Sequence, residues 1–333
     1  MRWLLAAFLA FPWPAHAQNA SRLDAVRARG YVTCGVAQAS PGFANPDSTG
    51  VMRGLDADSC RALAAAVLGD PARVRFVPLL AINRLVALQT GEVDVLWAQT
   101  TWTLGREAGQ GLEWASITFY DGEGFMVPRA SGVTGAAGLD GATVCMIAGG
   151  TAEPSLADWF GHRGIHYTPV LIESGAEART AFLAGRCDAY TIDMSALASF
   201  RFSLGDRAKD YVILPEIISN EPLGAAVAKG DPRWFDAVRW THFALVAAEA
   251  LGVTQANVSG LDASANPEIR RLLGRDGDLG PNLLLSKTWA MDAVRAVGNW
   301  GEMWERNIAP LGVERGRNRI WTEGGLQFAP PFR

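Results

Sequence analysis

The chain has 333 residues, 49% of them hydrophobic and 19% charged, with a formal net charge of -4. That composition fits a globular protein with apolar residues enough for about two domains, and it excludes a disordered or fibrous chain. The acidic balance gives no electrostatic basis for binding nucleic acid or an anionic membrane surface.

Met1 to Ala17 read as a secretory signal, with Arg2 as the positive start, an apolar region from Trp3 to Trp13, and Ala15-His16-Ala17 as the small-x-small cleavage site before Gln18. The apolar stretch is too short to span a bilayer, and no Cys follows the cut to carry a lipid. The mature chain is therefore expected to begin near Gln18, in an oxidising extracytoplasmic space. Its four cysteines, Cys34, Cys60, Cys145 and Cys187, favour disulfides in that setting. Their spacings of 26, 85 and 42 residues fit no zinc pattern, and three pairings are open.

In chain order, the pattern predicts a short helix from Leu23 to Arg29, a strand from Tyr31 to Val36, and a long Gly- and Pro-rich loop from Ala37 to Gly54. A helix follows, with Asp56 or Asp58 as N-cap and Leu63 and Val67 on its buried side, ended by Gly69-Asp70-Pro71. Next come a strand from Val74 to Pro78, a helix around Ile82 to Gln89, and a strand from Val93 to Trp97. Alternating strand and helix imply a parallel, doubly wound α/β sheet. The stretch Gln99-Thr100-Thr101-Trp102-Thr103-Leu104-Gly105-Arg106 then emerges at a strand's carboxyl end, where open α/β sheets bind ligands. Its hydroxyls and the planar fork of Arg106 suit a carboxylate, although a Thr-rich loop is also an ordinary solvated connection.

The design repeats. Aligning Gly91 with Gly185 sets Asp94 against Asp188, Gln99 against Asp193, and Thr101 against Ser195. Two lobes of similar build are expected, one presenting Arg106 and the other Asp193. A cleft between them would match the carboxylate and ammonium of an amino acid; the plainer role for Asp193 is to cap a helix beginning near Met194. The turn Ala148-Gly149-Gly150-Thr151-Ala152-Glu153-Pro154, leading into a helix from Leu156 to Phe160, offers backbone amides to an anion, with Thr151 as cap. His162 and His166 are four apart, but Gly161 and Gly164 interrupt the segment and argue for a surface loop rather than a metal site. Trp289, Trp300 and Trp304 are expected to pack in a C-terminal helical region.

Several separated stretches resemble the polar amino acid family of periplasmic substrate-binding proteins of ABC transporters, and most closely its general L-amino acid subgroup. They are Gly54 to Asp58, Leu88 to Asp94, Thr100 to Arg106, Phe119 to Phe125, Asp140 to Cys145, Thr191-Ile192-Asp193, Glu221 to Gly224, and Trp321 to Pro331. The resemblance implies a bilobed type II periplasmic-binding-protein fold, two doubly wound lobes joined by a two-segment hinge, with a first lobe at 18–124 and 223–333 and a second at 125–222. It implies that Arg106 holds the ligand carboxylate, helped by Thr101 and Thr151, and that Asp193 holds the ammonium; Gln99 lies beside them. It also implies one disulfide per lobe, Cys34 with Cys60 and Cys145 with Cys187, which leaves the hinge free. Leu55 stands where many relatives have a stacking aromatic, and Phe43 from the preceding loop could substitute. Gly150 replaces a hydroxyl residue, and Gly105 before Arg106 is less usual. The implied protein is a monomeric, periplasmic amino acid receptor without cofactor or metal, serving an inner-membrane permease and ATPase. The alternative is a cyclohexadienyl- or arogenate-type dehydratase on the same scaffold, with Glu123, Glu153 or Asp193 as acid and base.

Overall fold

The computed structural model describes residues 21–333, so the expected signal segment and its cleavage site lie outside the described residues. The chain opens with helix α1 (Arg22–Arg29) and strand β1 (Val32–Ala37). A loop carrying the two-residue strands β2 (Asn45–Pro46) and β3 (Met52–Arg53) leads to α2 (Leu55–Leu68). Gly54 is the N-cap of α2, without a side-chain bond. Asp56 and Asp58, expected as caps, instead lie buried within its first turn, still on the side the helix dipole favours. Then come β4 (Val74–Leu79), α3 (Arg84–Gln89), β5 (Val95–Trp97), α4 (Leu104–Gln110) and the long β6 (Leu112–Asp121).

After Gly122 alone, β7 (Glu123–Pro128) begins in a different sheet. There follow β8 (Ala142–Ile147), α5 (Ala152–Gly161), β9 (Tyr167–Ile172), α6 (Gly175–Leu183), β10 (Ala189–Asp193), α7 (Met194–Ser203) and β11 (Tyr211–Ile213), before β12 (Glu221–Ala228) returns to the first sheet. The first sheet has the order β4-β1-β5-β12-β6 and the second β9-β8-β10-β7-β11. In each, the first three strands are parallel, and the fourth is antiparallel to both of its neighbours. This is the bilobed α/β architecture of the type II periplasmic-binding-protein fold. Two segments cross between the sheets, and they touch: a Cβ at Gly122 would meet Ile217 Cγ2 at 2.2 Å and the Ser219 carbonyl oxygen at 2.8 Å. Only glycine fits there.

The sequence echo has a structural cause. Asp94 accepts the Thr33 N–H at 2.6 Å and returns its own N–H to the Thr33 carbonyl at 2.8 Å. Asp188 makes the same pair with Thr143, at 2.8 and 2.9 Å. Each carboxylate thus locks a helix-to-strand turn onto the opening strand of its lobe. Disulfides Cys34–Cys60 and Cys145–Cys187 each stay within one lobe.

The helices α8 (Pro232–Ala250), α9 (Pro267–Leu272), α10 (Leu279–Asn282), α11 (Trp289–Val297) and α12 (Trp300–Asn307) enlarge the first lobe. Trp234, Trp289, Trp300 and Trp304 are buried with Cys34, Val36 and Leu63 in one core. The other face of the first sheet buries Leu96 and Ala226 against Leu88 of α3. Further on, Asn318 pairs with the backbone of Tyr120, accepting its N–H at 2.7 Å and donating to its carbonyl at 3.0 Å. The C-terminal segment therefore extends the edge of β6 immediately before the crossing.

Candidate ligand-binding cleft

The carboxyl ends of the parallel strands of both sheets converge on one cleft, with a free volume of about 120 Å³. From the first lobe the wall includes Ser40 after β1, Arg84 after β4, and Gln99 and Thr101 after β5. The second lobe contributes Thr151, Arg179, Tyr190 and Asp193. The lobes meet around it: Ser199 Oγ donates to the Pro41 carbonyl at 2.9 Å.

Arg106 sits in the first turn of α4, placed by Thr103, whose hydroxyl caps the helix by accepting the Arg106 N–H at 3.3 Å. Its guanidinium is buried and donates to the Thr101 carbonyl at 2.9 Å and, across the lobes, to the Gly149 carbonyl at 3.5 Å. It reaches the cleft edge behind Thr101 and is not itself part of the cavity wall. Burial disfavours its charge, and Glu221 and Asp193 oppose that effect. Asp193 is the N-cap residue of α7 by position, yet its side chain makes no capping bond. It faces the cleft, and its carboxyl is pushed well above the usual range by burial, then by the neighbouring Asp121, Glu123 and Glu221. Among the described residues, neither Asp193 nor Arg84, Arg106 or Arg179 takes part in an ion pair within 4 Å. Each of these groups therefore lacks an opposite charge at ion-pair distance within the described residues.

Several of the hydroxyls around them are committed. Thr151 is the N-cap residue of α5 but makes no side-chain cap; its hydroxyl donates to Glu221 Oε2 at 3.0 Å. Glu221 Oε1 accepts from Ser219 Oγ at 2.6 Å. Thr191 Oγ1 lies 2.7 Å from Glu123 Oε1 and 2.8 Å from the Gly124 carbonyl. A hydroxyl has one proton and a carbonyl has none, so both contacts are hydrogen bonds only when Glu123 supplies the second. Burial, with Glu221 and Asp121 adding to it, pushes Glu123 up to about 8, which agrees with a neutral acid. Gln99 adopts a left-handed backbone (φ 48°) that turns its side chain toward Ser40, whose hydroxyl donates to Gln99 Oε1 at 2.5 Å.

Two expected residues are elsewhere. Phe43 is 1% exposed and packs edge-on against Phe119, whose ring stacks on Trp304. Leu55 is fully buried at the start of α2, with its N–H bound to the Gly42 carbonyl. Both belong to the first-lobe core and neither lines the cleft. Glu153 is exposed on α5, away from the cavity wall. His162 and His166 are exposed, and no cluster of metal-ligating side chains occurs among the described residues. Sequence reasoning missed Arg84 and Arg179, which look like ordinary helix arginines. Their one signal is position: each lies on a helix that follows a parallel strand, Arg84 at its first residue and Arg179 at its middle.

The profile of the bacterial extracellular solute-binding proteins, family 3, matches residues 32–253. The chain belongs to that family. This family 3 protein is 51% identical to the glutamate/glutamine/aspartate/asparagine-binding protein BztA of Rhodobacter capsulatus, over 96% of this chain and 95% of that one. It is 47% identical to the general L-amino acid-binding periplasmic protein AapJ of Rhizobium johnstonii, again over 96% and 95%. A solved periplasmic binding protein of an ABC transporter from Brucella ovis, with glutathione bound, superposes with a TM-score of 0.92 at 48% identity, covering 94% of this chain and all of that one. These relatives of the family 3 protein are binding proteins of transporters, not enzymes, and the dehydratase alternative is not favoured.

Proposed function

We propose that this chain is the extracytoplasmic receptor of an ABC importer and that it grips a free L-amino acid by its zwitterionic end, with Arg106 on the carboxylate and Asp193 on the ammonium. The observation that carries the reading is an interlobe cleft at the strands' carboxyl ends that Asp193 lines and that the buried Arg106 borders through Thr101, neither residue having an ion-pair partner. An α-carboxylate near Thr101 and Thr151 replaces the carbonyl partners that Arg106 now has, and a charged acceptor is the stronger one. The ammonium gives Asp193 the counter-charge it lacks and favours its ionised form. The relatives' names, which run from glutamate, glutamine, aspartate and asparagine to general L-amino acids, support the substrate class.

Closure follows from the same contacts. The lobes divide at the two crossings, within a few residues of 124 and 222, and a ligand that touches both walls binds the closed form better than the open one. The closed, loaded form is the one a permease and its ATPase would recognise. The mature receptor is a monomer in the periplasm, released by cleavage before Gln18. Calorimetric titration of Arg106→Ala and Asp193→Asn tests the residue roles. Each should weaken every amino acid ligand by about 10-fold to 100-fold, the worth of a charge-assisted hydrogen bond. Unchanged affinity in either variant would remove that residue from the site.

A further inference from the structure

Zwitterion recognition leaves part of the cleft unexplained. Arg84 opens α3 and is 9% exposed; its Nη1 donates to the Ala98 carbonyl at 2.7 Å and the Gln99 carbonyl at 3.4 Å, while its Nε has no partner. Gln99 Nε2 from the same lobe and the Tyr190 hydroxyl from the other are also buried without a hydrogen-bond partner. All three side chains line the cleft, and all three can donate. Buried donors are rarely left unmet in a native protein, so this set points to an acceptor that arrives with the ligand. Arg179, half-buried on α6, lines the second-lobe wall, where its charge acts on the Tyr190 hydroxyl. The carboxylates of the wall are otherwise engaged or outlying: Glu123 is bound to Thr191, Asp193 is assigned to the ammonium, and Glu173 is exposed.

We infer that the cleft holds a second carboxylate subsite, in which Arg84 of the first lobe and Arg179 of the second close on the side-chain carboxylate of a dicarboxylic amino acid. The inference rests on the receptor reading above, since it extends the same cleft past the zwitterion site. A carboxylate accepts from both guanidinium groups and from Gln99 and Tyr190 at once, whereas an aliphatic side chain would leave every one of these donors unmet. Because the two arginines lie on opposite lobes, they would meet such a group together only in the closed form, so the side chain adds to the closure energy. A carboxamide offers one acceptor oxygen and no charge, and should be held less well.

The test is calorimetric titration of the mature chain, refolded to strip carried-over ligand, with L-glutamate, L-glutamine and L-alanine. Arg84→Gln and Arg179→Gln should each lower glutamate affinity at least tenfold more than glutamine affinity, and Arg84→Lys should recover part of that gap. If Arg84→Gln fails to fold, Arg179→Gln decides alone. Equal losses for glutamate and glutamine in Arg179→Gln would overturn the subsite while leaving the amino acid receptor intact. So would a wild-type protein that binds glutamine or alanine but neither glutamate nor aspartate. A wild-type protein that binds no amino acid would overturn the receptor reading, and the subsite with it.

Discussion

Glu123→Gln should make the ligand-free protein more stable than wild type at pH 8 and nearly equal to it at pH 5. The substitution keeps a donor toward Thr191, because the amide N–H takes the place of the carboxyl proton. Burial raises the folded-state value of Glu123 from 4.5 to about 8, so the folded chain retains a proton that the unfolded chain gives up. The group's contribution is therefore fully present below pH 4.5 and is lost as pH rises toward 8. At 1.36 kcal/mol per tenfold change, that loss amounts to about 4 kcal/mol at pH 8 and under about 1 kcal/mol at pH 5. The advantage of Glu123→Gln should thus widen by about 3 kcal/mol across this range. Opening of the cleft, which hydrates the carboxyl, reduces the figure without changing its sign. Urea unfolding of both proteins at pH 5, 6, 7 and 8 measures it. A stability difference that is constant with pH would refute the neutral-acid assignment, as would a variant that loses stability faster than wild type.

Other substitutions test the frame around the cleft. Gly149→Val should lower ligand affinity at least tenfold and abolish the ligand-induced contraction seen by solution scattering, because a Cβ at 149 would stand 2.9 Å from Ile82 Cα on the opposite lobe; its left-handed backbone (φ 78°) adds a folding cost of about 1–2 kcal/mol. Replacing Cys145 and Cys187 with serine should cost about 4 kcal/mol by the loop-closure relation for a separation of 42 residues, read from denaturant midpoints. Asn318→Ala leaves the Tyr120 N–H and carbonyl without their side-chain partner and should cost about 1–3 kcal/mol, with faster hydrogen exchange at Tyr120.

The alternation of strands and helices was legible from periodicity, and the echo of Asp94 in Asp188 marked two lobes of one design because a helix-to-strand turn needs the same lock twice. The strand-end residues Gln99, Thr101 and Asp193 could be placed in a cleft from that register, and Thr151 from the Gly-rich turn before α5. Phe43 and Leu55 could not be placed correctly by sequence spacing. The backbone of the loop before α2 is tied down by the N–H groups of Leu55 and Asp56, which turns Phe43 onto Phe119 and away from ligand. Arg84 and Arg179 were invisible for the opposite reason. An arginine on a short helix is ordinarily solvated, and only the packing of α3 and α6 against the two sheets carries these side chains to the cleft. Glu123 required atoms, since its neutrality follows from two distances at one hydroxyl.

The most direct measurement is thermal unfolding of the chain from Gln18 onward, first unfolded and refolded to remove bound ligand, with each common L-amino acid added in turn. An amino acid at about 100 times its Kd should stabilise the protein by roughly 2.7 kcal/mol, a rise of several degrees. The shift should be largest with glutamate or aspartate and should fall by about half or more with their deaminated analogues, which lack the ammonium proposed to meet Asp193. No shift with any amino acid would contradict the receptor assignment itself.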